Sequence, residues 1–122
     1  MAALEKNIDD PYGDSTLFWR LMELHCHWPA AKDAPGAVLR LLLQGWKSRA
    51  AWVAGKHPKE SRELFIREPS ADWIALMGNG KNPPSQAAVL AWLKIQTVPA
   101  PTQENPNATV PGEFVGAVDA AE

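Results

Sequence analysis

One cysteine, Cys26, in a chain of 122 residues leaves no internal disulfide to be made, which suits a reducing, cytoplasmic setting. Long apolar runs are lacking too. Ala87 to Leu93 is the longest stretch, and a membrane-crossing helix needs about 20 residues, so no membrane role is expected. The start, Met1-Ala2-Ala3-Leu4-Glu5-Lys6, lacks the basic-then-apolar order of a secretory signal. There is no excess of basic residues, since 12 Lys and Arg face 14 Asp and Glu, which excludes a strongly basic nucleic-acid binder.

Catalytic motifs are equally sparse. Neither a Gly-x-Ser-x-Gly elbow, a dinucleotide fingerprint nor a paired-carboxylate arrangement occurs, and no enzyme activity or cofactor is expected. Gly78-Asn79-Gly80-Lys81-Asn82 fails as a phosphate loop, because Asn82 stands where Ser or Thr must follow the lysine. His25-Cys26-His27 invites a metal reading. On a helix, however, the two imidazoles project about 200° apart and share no ion, so no metal is expected. Cys26 has no activating partner near it in sequence and reads as structural.

What the chain does have is an uneven charge. Residues 1–39 carry three basic and six acidic side chains, residues 40–67 seven basic and two acidic, and the last 24 residues four acidic and none basic. A basic middle therefore lies between acidic ends. Six tryptophans accompany it, at positions 19, 28, 46, 52, 73 and 92.

Helical periodicity organises the rest. Leu17, Leu21, Leu24 and Trp28 make one stripe behind Asp14-Ser15-Thr16, and Pro29 ends it. A second helix is expected from Pro35 to Gly55, with Leu39, Leu41 to Leu43, Trp46, Trp52 and Val53 on its apolar arc, and Gly45 marking a close crossing or a bend. Residues 59–67 read as a third helix, 70–77 as a fourth and 84–94 as a fifth. The expected fold is all-α: a small bundle of about five short helices over 14–96, after an irregular lead-in at 1–13. Residues 97–122, rich in Pro and Ala and acidic, are expected to form a flexible tail, although Glu113 to Val118 has enough apolar character to dock.

This arrangement suggests a non-enzymatic module that binds a protein partner by occlusion or scaffolding, in the manner of an accessory factor, inhibitor or assembly factor of bacterial or phage type. Its contact residues are expected to be Trp46, Lys47, Arg49, Trp52, Lys56, Lys59 and Arg62, because Trp and Arg concentrate interface energy and clustered cations steer acidic partners. The competing reading is a helix-turn-helix DNA-binding regulator made from helices 70–77 and 84–94. There Ser85 and Gln86 would reach bases, Arg62, Arg67 and Lys81 would contact phosphates from outside the helix, and Lys94 is the recognition helix's own first basic residue.

Overall fold

The computed structural model describes residues 3–29, 36–68, 70–78 and 84–120. Its elements, in chain order, are β1 (Ala3–Asp9), β2 (Ser15–His27), β3 (Val38–Trp46), α1 (Arg49–Val53), β4 (Glu60–Arg67), α2 (Ala71–Met77), α3 (Gln86–Ile95), β5 (Thr97–Pro99), β6 (Thr109–Pro111) and β7 (Val118–Ala120). Five strands form one sheet in the order β4-β3-β2-β1-β7, with every neighbour antiparallel, and β5 pairs with β6 in a separate ribbon. The all-α expectation is therefore wrong. The segments expected as the first and third helices are strands β2 and β4, and the second divides into β3 and the single helical turn of α1.

The sheet wins for reasons visible in its ladders. Leu39, Leu41 and Leu43 alternate along β3 and are fully buried on one face. Directly opposite them stand Cys26, Leu24 and Leu21 on β2, and Ile66, Leu64 and Arg62 on β4. Between Leu21 and Glu23 the β2–β3 register slips by one residue, so Met22 is extra. This bulge brings Leu24 and Cys26 back to the face that Trp19 and Leu21 occupy.

Helices α2 and α3 cover that face. Trp73 and Met77 from α2, and Val89, Leu90, Trp92 and Leu93 from α3, join Leu4, Trp19, Leu21 and the β3 leucines in one core. Each helix begins with a serine cap: Ser70 Oγ accepts from Trp73 N and Ser85 Oγ from Ala88 N, both at 3.1 Å. The Trp92 indole donates to Asp72 Oδ1 at 3.2 Å and ties α3 to α2. These two helices stand where the sequence places them.

Among the described residues, the segments near both ends hold strands that the sequence does not suggest. Residues 3–9, read as part of an irregular lead-in, form β1. The segment read as a flexible tail supplies β5, β6 and β7, and β7 pairs with β1 at Ala3–Ala120, Leu4–Asp119 and Glu5–Val118. Phe114 holds it down: the ring is 2% exposed and meets Trp19 edge to face at 5.2 Å. One aromatic seated on a buried indole offsets part of the ordering entropy of the residues around it. No helix among the described residues is long and apolar enough to cross a membrane.

The opposite face of the sheet carries a smaller cluster. Ala3, Phe18 and Trp46 are buried there, with Met22, Ala51, Trp52 and Ala120 packed against them. Short helix α1 covers only this end of the face, and the candidate site is built around it.

Candidate functional site

β3 ends at Trp46, the chain turns at Lys47-Ser48, makes the one turn of α1, and returns through Lys56 to Lys59 into β4. Ser48 caps α1, its Oγ accepting from Ala51 N at 3.1 Å. The return is pinned twice. The Trp46 indole donates to Lys56 O at 2.8 Å, and Lys59 N donates to Gly45 O at 2.8 Å. Gly55, at φ 77°, makes the left-handed step that lets the loop double back.

This path encloses a cleft of about 480 Å³ lined by Trp46, Lys47, Ser48, Ala50, Ala51, Lys56, His57 and Lys59. Trp46 and the alanines make its floor apolar, and lysines make its rim positive. Among the described residues, Lys47 and Lys56 have no ion-pair partner. Lys59 does: its ammonium donates to Asp14 Oδ2, in the turn between β1 and β2. That bond, helped by the charge of Lys47, holds the Asp14 carboxyl below its ordinary value.

Four of the seven expected contact residues, Trp46, Lys47, Lys56 and Lys59, thus line one cleft. The other three do not. Arg49 is exposed at the start of α1, outside the cleft lining. Trp52 faces the sheet, stacked on Phe18 at 5.4 Å with the Arg20 guanidinium 4.3 Å from its ring. Arg62 lies on the helix-covered face, held by Glu113 and Glu60 and 5.4 Å from the Trp19 ring. Its separation follows from the strand identity of β4, which a continuous basic helix conceals. Asp14 is the participant that the sequence reading missed. It is 45 positions from Lys59, and only the sheet pairing brings the two together.

The residues of the DNA-binding alternative are dispersed. Ser85 spends its hydroxyl on the α3 cap, Lys94 binds Asp119 at 3.0 Å, Gln86 is half-buried and Arg67 lies on β4. Lys81 lies outside the described residues. The exposed side of α3 is Ala87, Ala88, Ala91 and Ile95, which offers base edges almost no hydrogen-bonding groups.

His25 and His27 need correction as well. On β2 they share a face, with rings 4.2 Å apart, instead of diverging. With Glu23, Leu24 and Arg40 they line a shallow groove of about 450 Å³, in which Arg40 bridges Glu23 and Glu63. Among the described residues, no group of three or more His, Cys, Asp or Glu is set to hold a metal ion.

Compared with family models, curated proteins and solved structures, the chain matches none.

Proposed function

We propose that this protein is a non-enzymatic binding module that takes an acidic, partly apolar segment of another protein into the Trp46 cleft, acting by occlusion or scaffolding. An apolar side chain of the segment lies on Trp46, Ala50 and Ala51, and its carboxylates meet Lys47 and Lys56. One observation carries the reading: an apolar floor flanked by two lysines that have no ion-pair partner among the described residues. Such a rim raises the encounter rate with an acidic segment, and Ala50 and Ala51, beside the buried edge of Trp46, supply the short-range apolar contact. A cytoplasmic setting accompanies this role, because the single half-buried cysteine requires no oxidising compartment.

The test is a nitrogen-15 NMR titration of the full chain with short peptides that combine Asp, Glu and Leu. Shifts confined to the Trp46 indole and the amides of 46–59, abolished by Lys47→Glu/Lys56→Glu, support the proposal. If those signals stay still, or respond equally to a lysine-leucine peptide, the proposal fails. Shifts at 84–95 with duplex DNA would instead establish the nucleic-acid role.

A further inference from the structure

Strand β4 is an outer strand of the five-stranded sheet, so among the described residues one of its edges meets no other strand. The β3 ladder fixes which backbone groups face that edge. β4 pairs with β3 without a register slip, Arg67 opposite Val38 and Phe65 opposite Arg40. In the same register, Glu68 N donates to Ala37 O at 2.9 Å. Antiparallel ladders alternate bonded and non-bonded pairs, so even-numbered residues of β4 turn their N–H and C=O toward β3. Glu63, Phe65 and Arg67 therefore point theirs outward. Among the described residues, only the Arg67 carbonyl has another backbone partner, Ser70 N at 2.8 Å, and a carbonyl has a second lone pair to offer.

The residues along this edge are complementary to themselves in reverse. Residues 62–68 read Arg-Glu-Leu-Phe-Ile-Arg-Glu. Laid antiparallel on a second copy with Phe65 on the two-fold axis, Glu63 faces Arg67 of the partner subunit, Arg67 faces Glu63 of the partner subunit, and Leu64 faces Ile66 of the partner subunit. Arg62 faces Glu68 of the partner subunit at the ends. Every opposed pair lies on the same face of the sheet, as pleating demands. The pairs made by Glu63, Phe65 and Arg67 are also those whose backbone groups point outward, so they form the bonded pairs of the new ladder. Sliding one copy by two residues either way leaves no opposite-charge pair.

We infer that the protein forms a symmetric homodimer through antiparallel β4–β4 pairing, which joins the two five-stranded sheets into one of ten. Charges on an exposed edge ordinarily block such pairing, but here their order specifies one register. Phe65, 54% exposed at the centre, gains a second ring to pack on. Arg67 has no ion-pair partner among the described residues, and Glu63, which already holds Arg40 at 2.9 Å, receives the partner subunit's Arg67 on its other side. The opposite edge, β7, is only three residues long and offers no comparable template. This inference is independent of the cleft, whose lining includes no residue of β4.

Analytical ultracentrifugation of the full chain, from low to high micromolar concentration, tests it with charge reversals. Wild type is expected to sediment as a dimer at the upper end. Glu63→Lys and Arg67→Glu each place like charges across the two-fold axis and weaken self-association by roughly tenfold or more. Mixing the two single variants restores opposite charges at both positions and recovers a heterodimer, and the double variant recovers a homodimer. A wild-type chain that stays monomeric throughout overturns the inference. So does a dimer that neither reversal weakens, or a folded double variant, judged by circular dichroism, that is monomeric. Should a single variant fail to fold, the double variant alone decides between these results.

Discussion

Gly45 stands opposite Trp19 in the β2–β3 ladder, and a Cβ placed on Gly45 would lie 2.8 Å from Trp19 Cζ3 and 2.5 Å from Thr16 Cγ2. Neither neighbour has room to withdraw. Trp19 is fully buried, its indole donating to Lys6 O at 3.1 Å and its ring braced by Phe114, and Thr16 is 2% exposed. Gly45→Ala is therefore expected to destabilise the fold by about 1–3 kcal/mol, the usual cost of overpacking a core. Urea unfolding followed by circular dichroism measures it, and an unchanged midpoint contradicts the packing described for Trp19.

Gly45 also shows how the sequence misleads. A glycine amid leucines and tryptophans signals a close approach in a helix or in a strand, and only the partner differs. In β3, apolar residues occur on both faces because Leu39, Leu41 and Leu43 meet the main core while Trp46 meets Phe18 on the other side. The two-residue period is blurred, and the run imitates a broad helical arc. In β2, the Met22 bulge sets Leu21 and Leu24, three positions apart, on one face, which is helical spacing produced by a strand defect. Helices α2 and α3 were legible because Ser70 and Ser85 are local caps whose effect needs no distant partner. In the candidate site, Trp46, Lys47, Lys56 and Lys59 are near enough in sequence for one turn to gather them. Asp14 and the exclusion of Arg62 depend on pairing across the sheet, which no local pattern encodes.

Phe114 makes the order of the C-terminal segment testable. Its ring is buried against Trp19 and lies in the same core as Leu4 and Ala117, so Phe114→Ala opens a cavity beneath β7. A loss of about 3–5 kcal/mol is expected. Amide exchange of Val118 to Ala120 should accelerate with it, because β7 relies on this anchor as well as on its short ladder with β1. Exchange that is already fast in the wild type would instead return the segment to the status of a loose tail.

Cys26 should be sluggish toward electrophiles. Burial raises its thiol above the ordinary value of 9.0, and the nearby Glu68 carboxylate raises it further. At pH 8, below that raised value, little of the thiolate, the reactive form, is present in the native protein. Alkylation by iodoacetamide is expected to be several-fold slower than in denaturant, and Cys26→Ser should leave ligand shifts at the cleft unchanged. A native thiol that reacts as fast as the unfolded one contradicts the packing of β2 against Leu39.

Asp14 sets the charge of the cleft and should make it sensitive to acid. Its carboxyl is held below 3.8 by the hydrogen bond and charge of Lys59. A group depressed in this way contributes stability that is present above the unfolded value, and that contribution is lost as pH falls through the lower folded value. Asp14→Asn removes the dependence, and it also frees the Lys59 ammonium to join Lys47 and Lys56 at the rim. The variant should therefore bind an acidic peptide a few-fold more tightly at neutral pH, with a steeper loss of affinity on adding salt. Its unfolding midpoint should vary less than that of the wild type as pH falls from neutrality through 3.8 and below. Isothermal titration calorimetry at two salt concentrations and acid unfolding by circular dichroism give the two readouts. Weaker peptide binding by Asp14→Asn would mean that the carboxylate positions Lys59 for the ligand instead of competing with it, and the cleft would then need Asp14 as a member of its contact set.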